Sequence, residues 1–533
     1  MPSSRSDGAG VNPAGPDESQ LSYPGRSLRY NWREVSRGHS ILKYFLLGEG
    51  LNFLTQGADL QMRKRPRRQE KDKQLRLFAP EVVSFRPDRE RGSGTTGTRT
   101  GESMFLSLLA RNRALTTTLL ETVMSPINLN QAYKEVKRNG GAAGIDGMQV
   151  EELGKWLSEH RQNLITEVLS EDYQVRAVLG VEIPKPDGGT RLLGIPTVVD
   201  RMLQQAIHEQ LNRLYDPLFS ERSYGFRPGR SALDAVEQSS EYIKSGYEWV
   251  VDIDLKSFFD TINHDRLMQR LSKGIGDKRL LRLIRRYLRA GMMQGGLESQ
   301  RISGTPQGGP LSPLLSNIVL DELDKELEKR GHNFCRYADD CNIYVRSEAA
   351  GNRVLLSITR FIEKRLKLKV NREKSGVRHC SQVKFLGYTI MPEGKIRIAD
   401  KSIARFKKKI KQITKRNRGV SFTSVLLEVN TVMRGWVGYF RLAEVYLPWS
   451  ELDGWIRRRL RCYRLKQCGR VYTMVKFLRS LGISESKAWN AVIYGGGWWH
   501  LSAKVACQNG MGISWFEKQG LYSLVGFYQS LNR

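Results

Sequence analysis

Residues 335–345 of the 533-residue chain read CRYADDCNIYV, and this is its most informative segment. Two adjacent acids, Asp339 and Asp340, lie between short runs of strand-forming residues, which predicts a β-hairpin with the acids at its tip. Adjacent carboxylates repel each other, and a bound metal cation would offset that repulsion. Because aspartate pairs are also common in ordinary turns, the tetrapeptide YADD by itself leaves a structural role open.

A second acidic segment, VVDIDLKSFFD at residues 250–260, strengthens the metal interpretation. It is an apolar run that ends in acids and an aromatic pair, and we expect its Asp254 to supply a third carboxylate beside Asp339 and Asp340. Two Mg²⁺ ions held about 3.5–4 Å apart by such carboxylates can activate an attacking hydroxyl and stabilise a leaving pyrophosphate. The other acids of the region are interpreted as caps or surface charges: Asp252, Asp260 and Asp265.

The composition of the chain favours a polyanionic partner. Lys and Arg total 86 against 55 Asp and Glu, which gives a formal net charge of +31 and a pI near 10.0. The hydrophobic share of 40% is enough for a folded core and excludes a fully disordered chain. Nucleic acid is the first candidate for so basic a protein, and a basic protein without such a partner is the alternative.

The cysteines and the apolar segments point to an intracellular protein without a membrane span. No two of the six cysteines have CxxC spacing, so neither a zinc ribbon nor a disulfide framework is indicated. The first residues lack the apolar region of a signal peptide, and no run approaches 18 apolar residues. We therefore expect a cytoplasmic protein that associates with the nucleoid when it binds DNA.

The periodicity of the chain predicts a mixed fold. Helical spacing covers residues 104–124, 129–138 and 150–170, with Asn128 or Asn130 as the expected N-cap of the second helix. Other predicted elements are the strands Val178–Ile183, Trp249–Ile253 and Cys341–Val345 and one long helix over Asp265–Ala290. This mixture predicts an α+β body built on a central sheet, followed after residue 400 by basic helices.

Seven ordered motifs resemble the group II intron-encoded reverse transcriptase/maturase family over about residues 120–533. They are IPKPDGGTR (183–191) with LGIP (193–196), YGFRPGRS (224–231), the Asp254 segment, GTPQGGPLSP (304–313), the Tyr337–Asp340 box, LKLKVN (366–371) with Lys374-Ser375, and FLGY (385–388). One such motif would be a weak signal, whereas seven in the family's order are specific.

The resemblance implies a right-hand polymerase of the α+β class, in which fingers and palm surround a central antiparallel sheet and a helical thumb follows. The expected divisions are a basic, partly disordered leader and linker at 1–103, fingers and palm at 104–395, a thumb or maturase (X) domain at 396–475, and a short DNA-binding region at 476–533. The basic run at 63–68 within the leader is either a nucleic-acid arm or a solvated tail. Relatives with an H-N-H endonuclease carry further Cys pairs and His residues that are not found in this sequence. We therefore expect no cleavage of the target strand by this chain.

The resemblance also implies the catalytic residues. Asp254 and Asp339 correspond to the principal metal ligands, the backbone carbonyl of Leu255 is a further ligand, and Asp340 has a supporting role. The segment AGIDG at residues 143–147 resembles the family's N-terminal extension, which helps to hold the template.

Five nucleotide-binding residues follow from the same resemblance. Lys185 and Arg191 lie on the two arms of a Gly-rich turn, where their charges would face the triphosphate. Phe259, five residues after Asp254, would exclude a ribose 2′-hydroxyl. Gln307 would contact the incoming nucleotide, and Lys374 would lie near the leaving pyrophosphate.

The basic helical segment 401–418 holds nine Lys or Arg and no acid, with apolar residues at helical spacing. A calmodulin-type target or a membrane-surface helix has the same pattern, but the segments that follow at 433–440 and 452–461 resemble the X domain that grips intron RNA. The predicted RNA contacts are Lys407, Lys408, Lys411, Lys415, Arg457, Arg458 and Arg461. The aromatic residues of this region are interpreted as core side chains: Trp436, Tyr439, Phe440, Trp449 and Trp455.

The function implied by the resemblance is that of an RNA-directed DNA polymerase that also assists splicing and mobility of its intron. Its partners would be group II intron RNA, an RNA template, a DNA primer or target and deoxynucleoside triphosphates, with two Mg²⁺ ions as cofactors and no membrane. A splicing cofactor with a silent polymerase and a CRISPR-associated reverse transcriptase are the alternatives. The complete set of catalytic residues argues against the first, and the neighbouring DNA would decide about the second.

Overall fold

The computed structural model describes residues 116–184, 190–444 and 447–531. The predicted leader and linker and the nucleotide-binding candidate Lys185 lie outside these residues. Among the helices described, none combines the length and the apolarity that a membrane crossing requires.

Ten strands lie in the described ranges. In chain order they are β1 (Val178–Pro184), β2 (Thr190–Ile195), β3 (Trp249–Ile253), β4 (Met292–Gln294), β5 (Leu297–Ser299), β6 (Asn333–Tyr337), β7 (Asp340–Val345), β8 (Gly376–His379), β9 (Tyr388–Ile390) and β10 (Ile396–Ile398). The bounds of β1, β3 and β7 confirm the three predicted strands to within one residue.

The strands form two four-stranded sheets and one short hairpin. The palm sheet has the order β6-β7-β3-β8 and is antiparallel throughout, which confirms the predicted central antiparallel sheet. The fingers sheet has the order β2-β1-β4-β5, in which β1 and β4 are parallel. The strands β9 and β10 pair with each other.

Helices cover both faces of the palm sheet. Before residue 400 they are α1 (Leu119–Val123), α2 (Pro126–Asn139), α3 (Leu153–Leu169), α4 (Val198–Tyr215), α5 (Ala232–Lys244), α6 (Phe258–Thr261), α7 (His264–Gly274), α8 (Lys278–Arg289), α9 (Ser312–Lys329) and α10 (Glu348–Phe361). After it they are α11 (Asp400–Ile413), α12 (Phe422–Tyr439), α13 (Leu447–Cys468), α14 (Val471–Ser480), α15 (Glu485–Ile493), α16 (Trp498–Leu501), α17 (Val505–Gly510), α18 (Ile513–Lys518) and α19 (Leu524–Leu531).

Two hydrophobic cores meet the palm sheet from opposite sides, because successive side chains of a strand point to opposite faces. Val251 and Ile253 of β3 belong to the first core, which includes buried residues of α1–α4 and α7–α10. Val250 and Tyr344 belong to the second core, which includes α5, the β9–β10 hairpin and the C-terminal helices. The palm sheet is therefore buried on both faces, and the loops at its ends are left to form a site.

The structure corrects two predictions about helices. The predicted helix Asp265–Ala290 is two helices, α7 and α8, because Asp277 interrupts it and accepts hydrogen bonds from backbone N–H groups of the first turn of α8. The N-cap of α2 is Ser125, not Asn128 or Asn130. Asn128 is instead buried within α2, where its side chain donates to two backbone carbonyls.

The aromatic side chains of the thumb form its core, as the sequence predicts. Trp436, Tyr439, Phe440 and Trp449 are each at most 2% exposed. The ring of Trp436 stacks on Phe406 of α11, with 4.2 Å between ring centroids. Trp455 is partly buried and packs against the same core.

Candidate active site

The backbone and side chain of Asp254 are fixed by the segment that precedes β8. The Asp254 carbonyl accepts from the Asn371 N–H at 2.8 Å, and the Asp254 N–H donates to Ser375 Oγ at 2.9 Å. The Asp254 carboxylate accepts a hydrogen bond of 3.0 Å from Asn371 Nδ2 and lies 3.9 Å from Lys374 Nζ. A carboxylate at the end of β3 is thereby held at a defined position on a rigid strand.

The predicted hairpin places its two acids at the tip, as expected from the sequence. The strands β6 and β7 pair up to Tyr337 and Asp340, and Ala338 and Asp339 form the turn. Ala338 has φ +57°, a left-handed conformation that is uncommon for residues other than glycine. Asp339 therefore lies on a tight turn next to the end of β3, which is paired with β7.

The carboxylates of the site repel one another. Burial raises the pKa of Asp339, the Asp254 carboxylate adds to the rise, and the guanidinium of Arg191 opposes it. Burial and the charges of Asp339, Asp252 and Asp254 raise the pKa of Asp340 well above its ordinary value. The four acids therefore form one electrostatic group at the end of the palm sheet.

Asp252 is interpreted from the sequence as a cap or surface charge, whereas the structure places it in a strand and in an ion pair. It lies within β3, and burial raises its pKa to about 6, with Arg378 opposing the rise and Asp254 adding to it. Its carboxylate pairs with Arg378 of β8 at 3.2 Å. By contrast, Asp265 pairs with Arg285 at the surface, in agreement with its interpretation.

The donor set fits a hard divalent cation in its chemistry. All of its groups are oxygen donors, which Mg²⁺ prefers, and a cation would offset the mutual repulsion of the carboxylates. Within the described ranges, however, no three Asp, Glu, His or Cys side chains converge closely enough to hold a metal ion. The Asp254 carboxylate is engaged by Asn371 and Lys374 instead.

The loop that contains Gln307 contacts both the strand β2 and the helix α6. The Gln307 carbonyl accepts from the Gly194 N–H of β2 at 2.7 Å, and its side chain lies 3.4 Å from Asp260 of α6. A Cβ at Gly308, whose φ is +130°, would meet the Gly194 carbonyl oxygen at 2.3 Å, so the close approach of the loop to β2 requires glycine. Gln307 is thus held between the fingers strand β2 and the start of α6.

Phe259 lies on α6 beside this loop. Its carbonyl accepts from the Thr305 N–H at 2.7 Å, and its ring packs edge-on against Phe258, with 5.4 Å between centroids. The ring is partly buried, whereas that of Phe258 is 2% exposed. The structure therefore places Phe259 next to the Gln307 loop.

Comparisons with known proteins identify two family domains. Reverse transcriptase (RNA-dependent DNA polymerase) matches residues 183–390, and the group II intron maturase-specific domain matches residues 403–481. "Protein YkfC" of Escherichia coli (strain K12) is 31% identical over 356 residues, which are 58% of this chain and 91% of that protein. The chain belongs to the group II intron-encoded reverse transcriptase and maturase family.

A second relative and a solved structure match over a smaller share of their own length. "Group II intron-encoded protein LtrA" of Lactococcus lactis subsp. cremoris is 28% identical over 51% of this chain and 56% of its own length. Among solved structures, a chain of a "Partial Cas6-RT-Cas1--Cas2 complex" is 28% identical over 46% of this chain and 42% of that chain, with a TM-score of 0.31. The maturase-specific match agrees with the second part of the sequence resemblance.

The maturase domain presents most of the predicted RNA contacts at its surface. Lys408, Lys411 and Lys415 are exposed and Lys407 is partly exposed, while the apolar face of α11 is buried in the second core. On α13, Arg457 and Arg458 are partly exposed. The Arg458 guanidinium lies 4.0 Å from the centroid of the Trp499 ring.

Arg461 does not belong with these surface cations. Its side chain is 8% exposed and donates to the backbone carbonyls of Ser502 and Met511, at 3.0 and 3.3 Å. Because its guanidinium holds the C-terminal region onto α13, it is not placed to bind a phosphate. Its burial therefore contradicts the prediction that Arg461 contacts RNA.

Sequence reasoning missed the residues that contact the acids of the candidate site. Asn371 and Ser375 fall within quoted family motifs, so a motif signal existed, but nothing in the sequence connects them with Asp254. Arg378, which pairs with Asp252, follows in β8, and no motif in the sequence marks it. Their contacts form only because β8 and the segment before it pair beside β3.

Proposed function

We propose that this chain copies RNA into DNA by nucleotidyl transfer and acts together with a group II intron RNA. The observation that carries the proposal is the arrangement of Asp254 and Asp339 on adjacent strand ends of one sheet, with Arg191 electrostatically close to Asp339. Phosphoryl transfer depends mainly on positioning and charge stabilisation, which this arrangement of carboxylates and a cation can supply.

Each residue has a role in the proposed reaction. Asp254, Asp339 and the Leu255 carbonyl, with Asp340 in support, would hold the divalent ions. When bound, two Mg²⁺ ions would activate the primer 3′-hydroxyl and stabilise the charge on the leaving pyrophosphate. Arg191 neutralises charge on the incoming triphosphate, and Lys374 is close enough to Asp254 to assist at the leaving group.

The remaining site residues select the substrate. Gln307 is held rigidly enough, between β2 and α6, to orient the incoming nucleotide. Phe259 blocks the space that a ribose 2′-hydroxyl would occupy, so the site prefers deoxynucleotides. We also propose that Lys185 contributes a second positive charge toward the triphosphate.

The partners of the chain follow from its charge and its maturase domain. The exposed lysines of α11 bind the phosphates of intron RNA, and the polymerase takes an RNA template and a DNA primer or target. All six cysteines are free, in keeping with a protein of the cytoplasm that joins the nucleoid when it binds DNA.

Primer extension on an RNA template with Mg²⁺ and deoxynucleotides tests the polymerase. Wild type should extend the primer and Asp339→Ala should not. Asp265→Ala is the matched control, because it removes a palm acid that is paired with Arg285 at the surface. If wild type fails to extend, or if Asp339→Ala extends as wild type does, the proposal is wrong.

A splicing cofactor with a silent polymerase is the second candidate, because the maturase-specific domain is matched independently of the polymerase domain. Tight binding of intron RNA and faster splicing, without primer extension, would favour it. A CRISPR array beside the gene instead of intron RNA domains would support a CRISPR-associated reverse transcriptase.

A further inference from the structure

Arg336 is a completely buried arginine three residues before Asp339 in the chain. Its Nε and Nη2 donate to the two carboxylate oxygens of Asp324, at 2.7 and 2.6 Å. Its Nη1 donates to Asn317 Oδ1 and to the Ala338 carbonyl, both at 2.9 Å, and Nη2 also donates to Ser223 Oγ at 2.7 Å. All five N–H groups of the guanidinium therefore have acceptors.

This network holds the catalytic turn against two other elements. Asp324 and Asn317 belong to α9, whereas the Ala338 carbonyl belongs to the turn that carries Asp339. Asn317 also donates from Nδ2 to the Gly225 carbonyl at 2.9 Å. One guanidinium thus connects α9, the loop 222–227 and the catalytic turn.

The turn fits against this loop without spare room. A Cβ at Gly225 would lie 2.3 Å from the Ala338 nitrogen, a distance at which the backbone would have to move. The Tyr224 N–H donates to the Arg336 carbonyl at 2.8 Å, so the loop is bonded to β6 as well. The left-handed Ala338 is held in a sparsely populated conformation by its surroundings, which is common where a site is pre-organised.

An arginine that only joined α9 to β6 would need no contact with the turn. The pair with Asp324 already makes that connection through two hydrogen bonds, and the bond from Nη1 to the Ala338 carbonyl reaches beyond it. Lysine could not replace this arrangement, because it has three donors from one nitrogen in place of five in a rigid plane.

We propose that Arg336 is a positioning residue for the polymerase reaction, and that its bond to the Ala338 carbonyl sets where the Asp339 carboxylate stands. The inference rests on the proposed function, since it assigns Arg336 a part in that reaction. A misplacement of about 1 Å in a catalytic group can lower a rate about 100-fold, so the loss of this bond should be measurable in kcat.

The first test compares wild type with Arg336→Lys in single-nucleotide primer extension. We expect kcat to fall about 10- to 100-fold, while KM for the deoxynucleotide and Kd for the RNA template change less than about threefold. Arg270→Lys is the matched control, because Arg270 also binds α9 through a carboxylate, Glu322, and a backbone carbonyl, that of Val319, without touching the turn. It should retain wild-type kcat.

The second test measures metal binding without catalysis. Mn²⁺ is titrated into a complex of the full chain with an RNA template, a dideoxy-terminated primer and a deoxynucleotide, and free Mn²⁺ is followed by its electron paramagnetic resonance signal. Arg336→Lys should raise the Kd for Mn²⁺ at least about fivefold, as Asp339→Ala should, whereas Arg270→Lys should not.

Asn317→Ala keeps the test decisive if Arg336→Lys does not fold. It removes the acceptor that orients Nη1 and should lower kcat about three- to tenfold. Arg270→Lys, whose melting temperature should be unchanged, is the reference for the loss of an ordinary contact on α9. Wild-type kcat and Mn²⁺ affinity in a folded Arg336→Lys or, failing that, in Asn317→Ala would overturn the inference. If wild type does not extend primers, the proposed function fails, and the Mn²⁺ titration then decides only whether Arg336 sets the position of the Asp339 carboxylate.

Discussion

Replacing Asn371 by alanine should slow the polymerase about tenfold. The change removes the 3.0 Å hydrogen bond from Asn371 Nδ2 to the Asp254 carboxylate and leaves the backbone bond from the Asn371 N–H to the Asp254 carbonyl in place. A hydrogen bond to a charged group contributes about 1.5–3 kcal/mol. Because the Asp254 side chain is 27% exposed, water can replace part of the bond, so the lower value of about 1.5 kcal/mol applies and corresponds to about tenfold in rate.

The measurement is kcat for single-nucleotide incorporation on an RNA template at saturating Mg²⁺. Asn263→Ala is the control: Asn263 caps α7 in the same palm by accepting from the Arg266 N–H at 3.0 Å, so its loss should cost about 1 kcal/mol of stability and leave kcat unchanged. An unchanged or higher kcat in Asn371→Ala would refute the prediction. A higher kcat would mean that Asn371 competes with the metal for Asp254.

Three further predictions concern selectivity, stability and RNA binding. Phe259→Ala should raise the use of ribonucleotides relative to deoxynucleotides at least about tenfold, as the ratio of kcat/KM values, because it removes the ring that is proposed to block the 2′-hydroxyl. Trp436→Ala should lower the free energy of unfolding by about 3–5 kcal/mol in urea titrations, because its 1%-exposed ring fills the thumb core. The double change Lys408→Ala and Lys411→Ala should reduce the slope of log K against log salt for RNA binding by about 1.4–1.8, whereas Arg461→Ala should leave that slope unchanged.

Each of these predictions has its own contrary result. An unchanged preference for deoxynucleotides in Phe259→Ala would move the selective contact elsewhere. A fall of less than about 1 kcal/mol in the free energy of unfolding of Trp436→Ala would contradict its place in a packed core. Tyr472→Ala is the control, because Tyr472 is 69% exposed. Equal salt slopes for wild type and the double lysine variant would show that α11 does not contact phosphates.

The central hairpin was predictable from the sequence because its signals are local. Strand-forming residues on either side of Asp339 and Asp340 allow little besides a turn at the acids, and β6 and β7 pair as expected. The burial of Trp436 was predictable for a similar reason, since large aromatic rings at helical spacing bury more surface than any other choice.

The contacts that hold the acids were not predictable, because they join distant parts of the chain. Asp254 and Asn371 are 117 residues apart, and Arg336 meets Ser223 across 113 residues. The break between α7 and α8 was missed because the apolar spacing continues through it. Asp277 carries an N-cap signal, but a charged residue within an amphipathic pattern is also typical of an uninterrupted helix.

The second core has a consequence for how this polymerase could be shortened. Phe516 of α18 and Leu524 of α19 are buried in the same core as Val250 and Tyr344 of the palm sheet. In a chain that ended at residue 481, where the maturase-specific match ends, apolar surface of Trp449 and its neighbours would become exposed to water, because the Trp449 ring stacks on Tyr528. The helices after residue 481 thus complete the second core, so removing them should destabilise the helices that carry Trp436 and Trp449 rather than detach an independent module.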